Sequence, residues 1–302
     1  MATINTNMSA NVAANSLTRN ERSMAATMER LSTGIRINSA KDDAAGLAIT
    51  SKMTSQINGL NQAVRNANDA ISMIQVGEGA LKEVTNMLQR MRELAIQASS
   101  DSNTDADRTA LNNEFTQLRD EISRIAANTQ WNGTAIFAQT AAVSDKVFQV
   151  GSNASQTITV SFKNFDAGTT TNTANNSGDA TANSSFAALD VDGGSNAKNI
   201  ENIAITSRTG SNEAMFAMSA AIDAVNSQRA LLGASMSRLE FASDNLQNVA
   251  QTSAAARSRV LDADYAAETT ELARTQIIQQ AGTAMLSQAN QSQQSILALL
   301  QS

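Results

Sequence analysis

The 302-residue sequence lacks histidine, cysteine and proline altogether, and it is poor in aromatic side chains, with eight Phe, one Tyr and one Trp. Without His and Cys there is no imidazole base, thiolate nucleophile, zinc–thiolate site or disulfide. An average chain of this length carries roughly fifteen prolines, which break helix interiors. Their absence favours long uninterrupted helices, and no residue pattern predicts a metal or cofactor site.

The charge balance is mildly acidic, with 22 Lys and Arg against 28 Asp and Glu and a formal net charge of −6. Such a chain has no electrostatic reason to bind nucleic acid or an anionic membrane surface. With 42% hydrophobic residues but few aromatics, small and aliphatic side chains must build the core. This composition suits close helix packing better than a fold that encloses a ligand.

The two ends of the chain carry no charged side chains, over residues 1–18 and 275–302. Asn residues interrupt the first end and Gln residues the second, so neither is predicted to span a membrane. The first end also lacks the basic segment and the continuous apolar segment of a secretory signal. We therefore expect no membrane insertion.

Both ends have helical periodicity, because their apolar residues recur mostly at steps of three and four. An isolated helix of this kind would expose its apolar stripe, so each end needs a partner. Two arrangements remain open from the pattern alone: docking of the termini within one chain, or packing against other copies. The main stripe residues are Ile4, Met8, Val12, Met28, Leu31, Ile35, Leu272, Ile278, Met285, Ile296 and Leu300.

The middle of the chain predicts three further helices that form an antiparallel bundle. Heptad spacing runs over 57–98, and we interpret its irregular step at 77–79 as a heptad skip. A second helix begins with a capping pattern at 104–107 and is expected to end near 132–133. A third follows residue 212, and its apolar stripe places Arg229 and Ser243 on the buried side.

Between the second and third helices the composition changes. Short β-branched and aromatic runs at 147–150 and 157–162 predict a β-hairpin. Residues 166–199 are rich in Thr, Asn, Ser, Ala, Gly and Asp and have few large apolar side chains. They are expected to form a surface loop with little core of its own.

Long ordered blocks at both ends closely resemble bacterial flagellin. The resemblance covers about 1–165 and 205–302, and the stretch between them is where flagellins vary most. The blocks that carry it are Thr3 to Asn7, Glu29 to Ile49, Ala256 to Asp264 and Gln280 to Gln291.

The resemblance implies a mainly α fold, in which long helices from both termini pack as an antiparallel bundle with a small β-hairpin region and a short variable insertion. It divides the chain into a discontinuous terminal coiled-coil polymerisation domain, a rod-like helical bundle and a variable exposed insertion. The expected boundaries are 1–43 with 259–302, 44–165 with 205–258, and 166–204.

The resemblance also implies a structural subunit, not an enzyme, that assembles into the flagellar filament for swimming. It favours packing of the terminal stripes between copies over docking within one chain, and it makes the stripe residues polymerisation residues. Implied partners are other copies, an export chaperone on the C-terminal segment, the filament cap and the hook–filament junction proteins. The implied route is the flagellar type III pathway, and the implied location is the extracellular filament.

The segment 89–97 looks like the flagellin surface that the vertebrate flagellin-sensing Toll-like receptor engages. The resemblance carries the contacts over to Arg90, Leu94 and Glu114. The alternative interpretation is a packing surface within the filament. Both can hold, since a receptor that reads this face would require the monomer.

Other classes remain as rivals. A hook–filament junction protein shares related terminal helices but is disfavoured, because the resemblance continues through the central helices. An intracellular coiled-coil scaffold would not occur in extracellular filaments. An enzyme would depend on Asp, Glu, Lys, Ser, Thr or Tyr alone, and no pocket pattern supports one.

Overall fold

The computed structural model describes residues 7–137, 143–165, 189–190, 197–198, 200 and 203–301, with the backbone alone for 143–144, 189–190, 197–198 and 292–301. Helices dominate these ranges, which confirms the mainly α class. The helices are α1 (Met8–Thr33), α2 (Ala44–Ala98), α3 (Asp105–Asn128), α4 (Arg208–Leu261) and α5 (Tyr265–Gln301). The strands are β1 (Gln130–Trp131), β2 (Thr134–Ala135), β3 (Val143–Gln149), β4 (Thr157–Lys163), β5 (Leu189–Asp190) and β6 (Ala197–Lys198).

Local sequence signals set the ends of the shorter helices. The Asn7 side chain accepts a hydrogen bond from the Ala10 N–H at the start of α1, and α1 ends at Gly34 in the left-handed conformation, with φ of 70°. At the start of α3, Thr104 and Asp107 form the reciprocal hydrogen bonds of a capping box. The capping pattern at 104–107 is thereby confirmed.

Helix α2 continues without interruption through 77–79. A Cβ atom at Gly77 would lie 3.3 Å from Phe137 Cζ and 3.4 Å from Phe162 Cε1. The glycine at this position therefore lets two aromatic rings lie against the helix backbone. This contact gives a packing reason for the irregular step that we interpreted as a heptad skip.

The chain divides into two compact units, the terminal unit (Met1–Asn58 with Ala250–Ser302) and the central unit (Gly59–Val249). Helices α2 and α4 contribute residues to both. The terminal unit is discontinuous in sequence, as the resemblance implies. The domain boundaries at 43, 165, 205 and 258 remain predictions, and most of the predicted insertion 166–204 lies outside the described residues.

The core of the central unit combines α2, α3 and α4 with the loops and strands that follow α3. Its largest buried side chains include Phe115, Phe137, Phe162 and Phe165. The Phe137 ring meets the rings of Phe162 and Phe165 edge to face, with centroids 6.2 and 5.9 Å apart. Few aromatics occur in the sequence, and three of them form one cluster of ring contacts around Phe137.

Helix α4 follows its predicted stripe with one shift. Ser243 is buried as expected, but Gln228 is fully buried where the heptad count placed Arg229. The Gln228 Nε2 atom donates to the Ser161 carbonyl oxygen at 2.7 Å, while Arg229 reaches Glu78 at 3.6 Å from a partly exposed position. The nitrogen of the neutral Gln228 amide has a strand carbonyl as its partner, although its Oε1 atom has none, and a neutral amide is cheaper to bury than a charged guanidinium.

Strands β3 and β4 confirm the predicted hairpin and extend it to seven residues each, with Phe148 opposite Ile158. The expected end of the second helix is wrong, because α3 ends at Asn128. Asn132 and Gly133 instead have φ of 48° and 76° in the turn between β1 and β2. An Asn-Gly pair accepts positive φ at both positions, so it favours a two-residue hairpin over a helix end.

Candidate self-assembly surface

The terminal helices α1 and α5 pack against each other as an antiparallel pair within the terminal unit. Asn7 Nδ2 donates to the Ala289 carbonyl oxygen at 3.1 Å, and Asn20 Nδ2 donates to the Thr275 carbonyl oxygen at 2.7 Å. Further along, Arg30 forms an ion pair with Glu268 at 3.4 Å. One of the two open arrangements, docking of the termini within one chain, is therefore present.

The seam between these helices contains small and polar side chains. A Cβ atom at Gly282 would lie 3.3 Å from Leu17 Cδ1, so the glycine permits close approach of the helices. Asn20, Thr27 and Thr275 are buried in this unit, and each donates a hydrogen bond to a backbone carbonyl. Because these polar groups are satisfied, burying them carries little penalty.

The predicted stripe residues divide between this seam and the surface. Leu31, Ile35 and Leu272 are half-buried. Ile4 and the side chains of Ile296 and Leu300 lie outside the described residues. The exposed members of the predicted set are Met8 (60%), Val12 (61%), Met28 (53%), Ile278 (42%) and Met285 (65%).

Sequence reasoning missed two other exposed apolar side chains of this surface. Neither Tyr265 nor Ile277 is among the predicted stripe residues, and Ile277 lies one residue off the stripe; both are 66% exposed. We call Met8, Val12, Met28, Tyr265, Ile277, Ile278 and Met285 the exposed terminal set. The helix pair therefore satisfies its polar groups within the chain and leaves large apolar side chains in solvent.

Backbone hydrogen bonds join the connections at the base of the helix pair. The Arg36 N–H donates to the Leu261 carbonyl oxygen at 2.7 Å, and the Ala263 N–H donates to the Gly34 carbonyl oxygen at 3.0 Å. The Arg36 guanidinium adds a hydrogen bond to the Val260 carbonyl oxygen at 2.8 Å. These contacts hold the end of α1 beside the start of α5.

The acidic pair Asp42 and Asp43 has a structural role just before the start of α2. Asp43 Oδ1 accepts the Gly46 N–H at 2.8 Å. Asp42 Oδ2 accepts the backbone N–H and the hydroxyl of Ser39 at 2.9 and 3.0 Å, and these hydrogen bonds lower the pKa of Asp42. Asp43 therefore caps the start of α2, and Asp42 stabilises the turn at 38–42 that precedes it.

An open cleft in the terminal unit has no charged residue in its lining. Within the described ranges, no three His, Cys, Asp or Glu side chains come together as a metal site. No helix of the described part is both long enough and apolar enough to cross a membrane. The cleft is lined by Ile35, Ile37, Asn38, Leu47, Thr50, Ser51, Thr54, Ser55, Asn58 and Leu261.

The structure separates the three predicted receptor-contact residues. Arg90 and Glu114 form an exposed ion pair at 2.9 Å across α2 and α3, and Glu93 also binds Arg90 at 3.1 Å. The hydrogen bond to Glu114, followed by that to Glu93, raises the pKa of Arg90. Leu94, however, is 1% exposed and packs in the central core, and its role as a receptor contact stays a prediction.

These observations define a class of protein. Long helices build the chain, its two ends pair with each other, and the paired ends expose apolar side chains beside a polar, satisfied seam. These features are typical of a helical structural protein.

The comparisons with known proteins identify the family. Residues 4–142 match the bacterial flagellin N-terminal helical region, and residues 215–300 match the C-terminal helical region. The chain belongs to the bacterial flagellin family. It is a structural protein of the flagellar filament and not an enzyme.

Named relatives agree with this assignment, and one solved structure shares the fold. A flagellin of Halalkalibacterium halodurans is 42% identical over 273 residues, which covers 90% of each chain. Flagellin B of Vibrio cholerae is 34% identical over 374 aligned positions, covering 98% of this chain and 99% of the relative. The structure of a Vibrio parahaemolyticus protein assigned to the flagellar hook-associated proteins has a TM-score of 0.55 at 15% identity, over 73% of this chain and all of the other, which shows a shared fold alone.

Proposed function

We propose that copies of this chain assemble into the flagellar filament by burying the exposed terminal set between neighbouring copies. The observation that carries the proposal is the exposure of these apolar side chains on helices whose buried polar side chains are already paired within the chain. A helix pair satisfied in this way has nothing further to gain from its own chain. The remaining apolar area is available to other copies.

The free energy gained by burying the exposed terminal set is large enough to support association of many copies. Covering the still exposed parts of seven such side chains contributes on the order of 5–10 kcal/mol per copy. Loss of translational and rotational freedom costs about 4–15 kcal/mol. Because each copy in a filament has several neighbours, the apolar side chains of those neighbours add to the same interface. Assembly is therefore favourable for many copies and marginal for two.

The exposed terminal set and the uncharged ends also support a coupling of folding to assembly. We infer that α1 and α5 are weakly helical in the isolated chain and become fully helical when neighbours cover them. Circular dichroism and hydrogen exchange test this coupling. Full protection of both helices in the dilute monomer would show that no such folding step exists.

Removal of residues 275–302 tests the role of the termini. We expect the shortened chain to form no filaments, because α1 loses most of its partner helix and three of the seven members of the exposed terminal set disappear. The central unit should keep its thermal unfolding transition, since its core uses residues 59–249. Filaments of the shortened chain, seen by electron microscopy beside full-length controls, would refute the proposal.

We also propose a route by which the chain is exported. The chain would leave the cell through the flagellar type III channel, escorted by a chaperone on its C-terminal segment, and join an extracellular filament beneath the cap and beyond the hook–filament junction. The absence of cysteine supports this route, because no disulfide has to break before the chain is threaded. Swimming cells with the chain in sheared extracellular filaments are the expected result, and a chain found only inside cells would contradict it.

A hook–filament junction role is the second candidate, favoured only by the shared fold with a protein assigned to the hook-associated class. Copy number separates the two roles. A filament subunit should occur thousands of times per flagellum, whereas a junction protein forms a single ring. Quantitative mass spectrometry of purified flagella measures this number.

Receptor recognition is proposed for the exposed Arg90–Glu114 surface of the monomer. We expect Arg90→Ala or Glu114→Ala to weaken activation of cells that carry the vertebrate flagellin-sensing Toll-like receptor by at least tenfold. The matched control is Arg124→Ala, which removes an exposed Arg–Glu pair elsewhere on α3. Equal activation by all three variants would exclude this surface.

A further inference from the structure

The methionines that the structure describes range from fully buried to largely exposed. Met8, Met28 and Met285 are each more than half exposed and lie on the terminal helices. Met91 and Met218 are fully buried in the core of the central unit. The exposed thioethers are therefore concentrated on the surface to which the proposed function assigns self-assembly.

The composition makes these thioethers the natural targets of peroxides. The chain has no cysteine thiol, which would otherwise react first with a two-electron oxidant. A methionine sulfur attacks one peroxide oxygen, the S–O bond forms as the O–O bond breaks, and the second oxygen leaves as water after proton transfer. Sulfur is oxidised to the sulfoxide, and the peroxide is reduced.

We propose that Met8, Met28 and Met285 are oxidation sites that control assembly. Oxidation by a hydroperoxide converts three apolar members of the exposed terminal set into polar sulfoxides, so an oxidised chain can no longer add to a filament. Once assembled, the same sulfurs are covered and protected. This inference rests on the proposed function for its effect on assembly, but not for the identity of the reactive residues.

Met24 supplies an internal comparison. It lies on α1 only four residues before Met28, but it is half-buried. If α1 and α5 are paired in the chain under test, Met24 reacts more slowly than Met28. The ratio of the two rates therefore also reports how well the pair is formed in the monomer.

The first experiment exposes the dilute full-length chain and preformed filaments to equal concentrations of hydrogen peroxide and follows each methionine by peptide mass mapping. We expect Met8, Met28 and Met285 to oxidise at least tenfold faster than Met91 and Met218 in the dilute chain. In filaments the three should slow at least tenfold. Uniform oxidation of all methionines in the dilute chain would overturn the site assignment.

The second experiment measures seeded elongation before and after peroxide treatment. The untreated chain should elongate, the oxidised chain should slow at least tenfold, and methionine sulfoxide reductases should restore growth. The matched variant Met8→Leu/Met28→Leu/Met285→Leu keeps the apolar surface without thioethers and should elongate equally before and after treatment. A second variant, Met8→Gln/Met28→Gln/Met285→Gln, imitates the polar product and should elongate poorly without peroxide.

The outcomes separate this inference from the proposed function. If the oxidised chain elongates as fast as the untreated one while carrying three sulfoxides, only the oxidation control is overturned. The same holds if the triple Leu variant is inactivated by peroxide as strongly as the parent chain. If the three methionines react equally fast in filaments and in the dilute chain, both the control and the assembly surface are wrong.

Discussion

Asn20 shows how a single buried amide can specify the pairing of two helices. Its Nδ2 atom donates to the Thr275 carbonyl oxygen at 2.7 Å from a side chain that is 9% exposed. A polar group in an otherwise apolar or small-residue seam finds its partner at only one register. At the start of α1, Asn7 likewise donates a side-chain hydrogen bond to a backbone carbonyl oxygen of α5, that of Ala289. Together they fix the alignment of α1 against α5.

Replacing Asn20 tests this register role. We expect Asn20→Ala to destabilise the helix pair by about 1–3 kcal/mol, because the Thr275 carbonyl loses a buried donor. Hydrogen exchange of α5 amides in assembled filaments measures the effect, because the helix pair is inferred to be only weakly formed in the dilute chain. Asn15→Ala removes an exposed Asn from the same helix and is the control. Equal exchange in both variants would contradict the register role.

The capping box of α3 makes a prediction about pH. Thr104 Oγ1 and N–H both donate to Asp107 Oδ2, at 2.7 and 2.9 Å, and these two hydrogen bonds lower the pKa of Asp107 below its usual 3.8. A carboxyl whose pKa is lowered by folding adds stability above its unfolded pKa. That stability is lost as the pH falls through the folded pKa.

Carboxyl NMR titration of Asp107 checks this prediction. Thr104→Ala should raise the pKa of Asp107 toward 3.8 and weaken the dependence of stability on pH below about pH 4. Thr104→Ser keeps the hydroxyl, so the pKa of Asp107 and the pH dependence of stability should stay close to those of the parent chain. An unchanged pKa in the Ala variant would mean that the hydroxyl is not the cause.

At the scale of elements, α4 contains two glycines in opposite surroundings. A Cβ atom at Gly210 would collide with the backbone carbonyl oxygen of Ala204, whereas nothing lies within 4 Å of a Cβ atom at Gly233. We therefore expect Gly210→Ala to destabilise the central unit by about 1–3 kcal/mol. Gly233→Ala should stabilise it by up to about 1 kcal/mol through helix propensity.

Thermal unfolding of the dilute chain, followed by circular dichroism, distinguishes the two variants. Opposite shifts in Tm from the same chemical change on the same helix are the expected result. Two shifts of the same sign would mean that the segment 203–207 does not pack against the start of α4 as described.

The helices also show which features of the structure the sequence patterns were sufficient to predict. Heptad spacing predicted the course of α2 and α4, because long helices without proline depend mainly on which face is buried. The end of α3 was not predicted correctly, because apolar periodicity does not show that an Asn-Gly pair forms the turn of the short β1–β2 hairpin. Gln228 replaced Arg229 in the core because a carbonyl of β4 offers the amide a partner, and this contact is invisible in periodicity.

The candidate surface was only partly predictable for a similar reason. Periodicity identifies apolar residues on a helix but does not say which of them face the partner within the chain. Leu272 is half-buried while Ile278 and Met285 remain exposed, although all three belong to one predicted stripe. Leu94 fits the family motif by position, yet it packs inward beneath the Arg90–Glu114 pair. Only the packed helices distinguish these roles.

For the whole molecule, the central claim is that the exposed terminal set, and not the termini in general, drives assembly. Val12 and Ile278 represent this set on α1 and α5, and both are outside the methionine chemistry proposed above. Asn15 and Gln276 are exposed polar residues on the same two helices and provide matched sites.

Seeded filament elongation of Val12→Ser/Ile278→Ser against Asn15→Ser/Gln276→Ser tests this claim most directly. The first variant should elongate at least tenfold more slowly than the parent chain, since losing about 1.4 kcal/mol of interface energy corresponds to a factor of ten. The second should stay within about twofold of the parent, given that surface substitutions of this kind change little free energy. Equal elongation rates for the two variants would contradict the account.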